Sequence, residues 1–252
     1  MKELQRILSF TRRAVDDYGM IEENDTVAVG ISGGKDSLTL LSALAALRRF
    51  YPKPFSLCAI TVDMGFKGAD FSPIAAYCES LDVPYRVVKT DIAQIIFDVR
   101  KEPNPCSLCS KMRRGVLHNA AREMGARRVA LGHHFDDAVD TFMLNLFFEG
   151  RIGCFSPVTY LSRADLTLIR PLIYTPEKDI RYFVKHTPSL PLMKSLCPED
   201  HNTERERMKL LLADLEKQYD GLRHRIFGAM CRAEIDGFHP TGKLPLEQNE
   251  DV

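Results

Sequence analysis

The sequence predicts an α/β fold: a doubly wound parallel sheet of about five strands, helices on both faces, and helical additions at either end. Three observations in the 252 residues carry that expectation. Four short runs, at 27–31, 55–62, 85–88 and 128–131, are apolar or β-branched, as strands buried on both faces must be. Helical patterns at 37–50, 70–82 and 110–125 alternate with them, the order of right-handed crossovers. The first run passes into Ser32-Gly33-Gly34-Lys35-Asp36-Ser37 and then into Leu38, Leu41, Leu44 and Leu47 at helical spacing, giving strand, glycine turn and helix.

The other elements follow in order. Residues 1–20 read as a helix whose apolar stripe is Leu4, Ile7, Leu8 and Ala14. A helix is expected over 140–148, and a short strand and turn at Ile169-Arg170-Pro171-Leu172. Thr175-Pro176-Glu177 marks a helix start with proline at the first helical position. Residues 188–203 hold three prolines and read as loop, and helices resume over 203–218 and 221–233. This divides the chain into an N-terminal helix (1–25), the α/β domain (26–187), a loop with Cys197 and helices packed on that domain (188–235), and a flexible tail (236–252).

A chain of this length with 45% apolar residues hides roughly three quarters of its unfolded surface, enough for a core without staples. No run of 18 apolar residues suggests a membrane span, and the charged start of the chain lacks the apolar stretch of a leader. Seven scattered cysteines do not form a secreted disulfide framework, so a reducing cytoplasm is expected. Zero net charge argues against indiscriminate nucleic-acid coating, although Arg48-Arg49, Lys111, Arg113-Arg114, Arg122 and Arg127-Arg128 leave room for a local basic face.

The 32–37 loop is built to hold phosphate. Paired glycines let amide N–H groups point at an anion, the helix opening near Asp36 adds the positive end of its dipole, Ser32 and Ser37 supply hydroxyls and Lys35 a charge. It is not a Walker A loop, because Ser32 directly precedes Gly33-Gly34-Lys35. A carboxylate beside phosphates repels them unless a cation intervenes, so Asp36 reads as a Mg²⁺ ligand; the bland alternative is an ordinary capped glycine turn. Asp63 and Gly132-His133 stand just past predicted strand ends and should converge with the loop on one crevice. In Gly132-His133-His134-Phe135-Asp136-Asp137, a histidine can meet the α-phosphate and Asp137 can bind Mg²⁺ or act as a base, although Asp136 could equally be a helix cap.

Cys106-Ser107-Leu108-Cys109, read at a loop-to-helix boundary, precedes Lys111 and Arg113. Such a pair serves as a redox dithiol, half a zinc site, or part of an iron–sulfur centre. No second pair exists, and Cys197 in the later loop is the best third thiol. Three cysteines suit a four-iron cluster with one open iron, or zinc if His201 completes the set. Cys58 and Cys78 fall inside a predicted strand and helix and read as core; Cys154 and Cys231 lean structural.

Together these residues resemble the N-type, or PP-loop, ATP pyrophosphatases, and among them the tRNA 2-thiocytidine synthetase (TtcA) family. The loop, Pro105 through Cys109, Gly132 through Asp137, Thr141 with Leu144-Asn145, Arg170-Pro171-Leu172 and Glu177-Lys178-Asp179-Ile180 occur in the family's order over about residues 1–235. Where the family often has a second cysteine pair, Lys194 stands three residues before Cys197. The resemblance implies a Rossmann-like, adenine nucleotide alpha hydrolase-like fold. It implies ATP on residues 32–37 with Asp63, Gly132 and His133, Mg²⁺ at Asp36, and a 4Fe–4S cluster on Cys106, Cys109 and Cys197. Asp36, Asp137, His133, Lys111 and Arg113 are its implied catalytic residues, the last two steadying the α-phosphate or the RNA.

The implied reaction adenylates the C2 carbonyl of a cytidine in a tRNA anticodon loop and replaces that oxygen with sulfur. A desulfurase or sulfide source would supply the sulfur, no membrane is involved, and a homodimer is among the assemblies allowed. Two alternatives stay open: a lysidine- or amide-forming adenylating synthetase without sulfur chemistry, and a nucleotide-binding module with a structural Cys₃His zinc.

Overall fold

A computed structural model describes residues 2–100, 105–198 and 204–240. Its framework is one six-stranded sheet ordered β3-β2-β1-β4-β6-β5. The strands are β1 (Thr26–Gly30), β2 (Ser56–Asp63), β3 (Tyr85–Lys89), β4 (Arg128–Ala130), β5 (Val158–Leu161) and β6 (Leu166–Ile169). Neighbours pair in parallel except β5, which runs antiparallel to β6 at the edge. The chain leaves β1 for β2 and β3 on one side, then crosses to β4 on the other. That reversal opens a crevice at the carboxyl ends of β1 and β4.

Alternate residues of the central strands serve two cores. Val27, Val29, Leu57 and Ala59 face the larger one, which α1 (Lys2–Asp17), α2 (Lys35–Leu47) and α6 (Glu177–Lys185) close. Ala28, Cys58, Ile60 and Val129 face the smaller one beneath α4 (Pro105–Glu123). Ala120 and Ala121 are the helix's side of that contact, and their small side chains let it lie close to the strands. The remaining helices are α3 (Ser72–Ser80), α5 (Phe135–Phe148), α7 (Glu204–Gln218) and α8 (Leu222–Arg232). No helix among the described residues is long and apolar enough to cross a membrane.

The α/β class and parallel sheet agree with expectation, and several details depart from it. The sheet gains a sixth strand because β5 and β6, four residues each, form a hairpin whose turn carries no glycine; Asp165 takes the left-handed conformation instead (φ 47°). The helix over 110–125 begins earlier, at Pro105, so both cysteines of the pair stand in its first turns rather than before it. The 140–148 helix likewise reaches back to Phe135. Pro176 is the residue before α6 rather than its first. A π-helical turn, Gln94–Val99, had no signal in the pattern. Past residue 236, Phe238 is fully buried against Phe227, so packed structure extends beyond that boundary; 241–252 lie outside the described residues.

Candidate functional site

Ile31 donates its N–H to the Ile60 carbonyl at 2.8 Å, and the chain then turns sharply. Two serines hold the turn. Ser37 Oγ lies 3.2 Å from both the amide and the hydroxyl of Ser32 and donates to the Gly34 carbonyl at 3.0 Å, while Gly34 N–H donates to Ser32 Oγ at 3.3 Å. Gly33 has φ +82°, and a Cβ there would stand 2.9 Å from Cβ of Met193. Gly132 backs the loop from β4, where a Cβ would press within 3.1 Å of the Asp36 carbonyl carbon and the Ser37 amide. Glycine at these two places lets Met193 lie on the loop and the segment after β4 lie against the start of α2.

Charges gather at the start of α2. Lys35 Nζ lies 2.9 Å from both oxygens of Asp36 and 3.0 Å from Glu177 Oε1. Burial works against the ammonium, but the two carboxylates outweigh it and raise its pKa. Burial likewise pushes the Glu177 carboxyl up, yet its bond and attraction to Lys35 bring it down to about 2. Beyond Asp36 stands His134, fully buried, with Nε2 at 3.7 Å from Asp36 Oδ1 and 3.5 Å from Asp137 Oδ2. Asp137 accepts the His134 N–H at 3.1 Å and faces Arg205 at 3.4 Å. Against the effect of burial, His134, His133 and Arg205 hold its carboxyl low, which suits a cation ligand better than a proton acceptor.

On the other side of the loop lies a cavity of about 380 Å³. Its floor is the end of β1 and β2, with Ser32, Gly34 and Asp63; its apolar wall includes Ile60, Val62, Phe66, Phe71 and Leu131. Cys109, Arg113 and Leu117 enter from α4, where the 4-residue spacing puts them on one face with Cys106 a turn earlier. Met193, Lys194 and Cys197 enter from the segment that crosses the loop. Burial pushes the Cys109 thiol up, Arg113 opposes it, and the nearby Cys197 and Cys106 add to the rise. Cys109 and Cys197, from two distant segments, thus line one cavity with the 32–37 loop, while Cys106, a turn before Cys109, is exposed and outside that lining.

Thiols are the donor type from which iron–sulfur and zinc centres are both built. A single tetrahedral zinc would draw its thiolates to about 3.8 Å apart, from Zn–S bonds of ~2.3 Å. Among the described residues no three His, Cys, Asp or Glu side chains are placed to hold one metal ion, and His201 lies outside those residues.

Comparison with known proteins decides the family. A family model described as a PP-loop domain matches residues 5–209. The tRNA-cytidine(32) 2-sulfurtransferase of Methylobacillus flagellatus is 37% identical over 235 residues, 93% of this chain and 78% of that protein. That of Cupriavidus necator is 40% identical over 244 residues, 96% and 77% of the two chains. The chain belongs to the PP-loop family of tRNA-cytidine 2-sulfurtransferases. A solved relative, the U34-tRNA thiolase NcsA from Methanococcus maripaludis with its 4Fe–4S cluster, superposes with a TM-score of 0.74 at 26% identity, covering 89% of this chain and 77% of that one.

In this PP-loop protein the expected site residues fall into three groups. Ser32, Gly34, Asp63, Cys109, Arg113 and Cys197 line the cavity; Gly33 sits between two of them, and Cys106 is exposed outside that lining, a turn before Cys109. Lys35, Asp36, Ser37, Gly132 and Asp137 form the loop's opposite flank with His134. His133 and Lys111 are not brought to the cavity. His133 stacks on Phe155 at 4.9 Å, over which the buried Arg170 guanidinium also lies at 4.8 Å; burial and Arg170 push the imidazole down to about 4. Lys111 is exposed, two residues from Cys109 and hence across the helix from it.

Glu177, Met193 and Arg205 had no assigned role in the sequence. Their contacts with Lys35, Gly33 and Asp137 span 142, 160 and 68 positions; only Glu177 stood in a marked motif, Glu177-Lys178-Asp179-Ile180, and nothing local tied it to Lys35. Of the other cysteines, Cys58 and Cys78 are buried with thiols pushed up to about 11, and Cys231 is buried too. Cys154 donates its thiol to the Ala138 carbonyl at 3.4 Å.

Proposed function

We infer that this protein is an ATP-dependent tRNA thiolase that converts a cytidine of the anticodon loop to 2-thiocytidine. The observation that carries this is the shared cavity: a PP-loop forms its floor and the thiols of Cys109 and Cys197 enter its wall. ATP places its β- and γ-phosphates on residues 32–37, where amides, the α2 dipole and Lys35 receive them. Asp36, with Asp137 across His134, supplies carboxylate oxygen for Mg²⁺. The C2 oxygen of cytidine attacks the α-phosphorus, the new O–P bond forms, and the bond to the β-phosphate breaks with loss of pyrophosphate.

Activation is needed because an amide-like oxygen leaves poorly, whereas AMP leaves well. Positioning and charge do most of this work. Cys106, Cys109 and Cys197 would hold a 4Fe–4S cluster, which when bound supplies the sulfur that takes the place of AMP at C2. Arg113, in the same wall, is placed to meet the α-phosphate or an RNA phosphate. The base must leave its stack to reach the crevice, which suits a single-stranded loop.

We propose that this takes place in the cytoplasm, with a desulfurase or free sulfide as donor and with assembly as a homodimer. The test is anaerobic incubation with ATP, Mg²⁺, sulfide and an unmodified tRNA transcript, followed by nucleoside mass spectrometry. The expected product is 2-thiocytidine with one AMP and one pyrophosphate per sulfur inserted. A lysine or amine adduct on cytidine, formed when lysine and ammonium replace sulfide in the incubation, would instead establish the synthetase alternative.

A further inference from the structure

Residues 190–197 form a strap that carries Cys197 across the PP-loop. Leu190 anchors one end in the core at 7% exposure. Beyond Leu192, the strap's described residues make one backbone–backbone hydrogen bond to the rest of the fold, from Met193 N–H to the Gly33 carbonyl at 2.9 Å. The Met193 side chain covers the same glycine, leaving no room for a Cβ, whose nearest neighbours would be Met193 Cβ at 2.9 Å, Sδ at 3.0 Å and Cγ at 3.1 Å. Four residues on, Cys197 enters the cavity close enough to influence the Cys109 thiol. The peptide that must reorient its amides around phosphate is thus the peptide on which the third thiol's segment rests.

We propose that Met193 is a positioning residue that couples occupancy of the PP-loop to the placement of Cys197. The proposal rests on the reading of residues 32–37 as the ATP loop and of the three cysteines as one thiolate set. Phosphate settling on the Gly33-Gly34 amides fixes the Gly33 carbonyl, and that carbonyl fixes the strap. Coupling of this kind is reciprocal: whatever factor nucleotide contributes to seating Cys197, a seated Cys197 contributes to nucleotide affinity. A site that activates cytidine with ATP then holds Cys197 in line more firmly when ATP is present.

The test uses the full chain, cluster-free and reduced, pulsed with N-ethylmaleimide with and without Mg²⁺ and α,β-methylene-ATP, with each cysteine's rate read by mass spectrometry. Nucleotide should slow Cys197 labelling about five-fold more than Cys109 labelling, a factor of hydrogen-bond size. Cys109 sits on α4 in the same cavity and reports direct shielding alone. Met193→Ala keeps the N–H bond to Gly33 but loses the side chain packed on that glycine, so the extra protection of Cys197 should fall and the nucleotide Kd should rise by the same factor, while Met193→Leu keeps both. Buried Cys58 and Cys78 stay unreactive while the fold is intact, and Met193→Val replaces the alanine variant if they react. Nucleotide that binds the wild type but protects Cys197 no more than Cys109, or equally in Met193→Ala, overturns the coupling alone. Failure of α,β-methylene-ATP to bind the wild type overturns the ATP reading as well.

Discussion

The two flanks of the PP-loop are built on opposite principles. On the α2 side, Lys35, Asp36, Glu177, His134 and Asp137 are closely interlinked, with side chains between 1% and 32% exposed. On the cavity side, Cys106, Arg113, Lys194 and Ser195 are exposed, and Cys197 hangs on a strap tied to Gly33. In the proposed reaction the first flank performs the same phosphate chemistry whatever the acceptor, so rigidity costs nothing there. In that reaction the second admits a splayed base and sulfur, and its exposed side chains leave it open. Preorganised charge belongs where the transition state is always the same, and access belongs where the substrates change.

This contrast can be broken at several points. The largest effect is expected from Gly33→Ala, where a side chain meets both a left-handed backbone (φ +82°) and Met193. Strain of about 1–3 kcal/mol at the loop should lower ATP-dependent pyrophosphate release by roughly 10- to 100-fold. Rates within two-fold of wild type would show that the two flanks do not meet at this glycine.

Glu177→Gln comes next. Without that carboxylate, Lys35 pairs with Asp36 alone, already at 2.9 Å to both oxygens, and competes with Mg²⁺ for it. The Mg²⁺ concentration needed for half-maximal pyrophosphate release should rise about five- to ten-fold, with the rate at saturating Mg²⁺ changed less. An unchanged Mg²⁺ titration removes Asp36 as the metal's ligand.

The smallest effect concerns His133 and pH. Its imidazole is pushed from 6.5 down to about 4 by burial and by Arg170. Between those values the unfolded chain binds a proton that the folded chain does not, so stability falls as pH drops from 6.5 through about 4. His133→Gln should lessen the slope of the urea midpoint against pH in that window, His118 and His224, also pushed down by burial, keeping the rest. An equally steep acid slope in the variant places the titrating group elsewhere.

Much of the first flank was legible in the sequence, because strand, glycine turn and helix are contiguous and their chemistry is local. The α/β sheet was legible for the same reason, with β6 caught only at its end, Ile169, and β5 missed, because four-residue strands and a glycine-free turn give no period to detect. The second flank was legible only as a list of thiols. That Cys109 and Arg113 share a face follows from helical spacing once the helix is known to start at Pro105. That Cys197 joins them depends on the Met193–Gly33 contact, which no spacing encodes. His133 shows the converse: it sits in a motif full of site residues, yet packing against Phe155 takes it away from the cavity.

The central claim is that one flank activates cytidine while the other supplies sulfur, and the Cys106→Ser, Cys109→Ser double variant tests it most directly. Given ATP, Mg²⁺, sulfide and tRNA under anaerobic conditions, it should still release pyrophosphate in a tRNA-dependent manner, at a rate within a few-fold of wild type, and form no 2-thiocytidine. Full 2-thiocytidine formation by the double variant, or loss of pyrophosphate release together with thiolation in a folded protein, would contradict the division of labour between the two flanks.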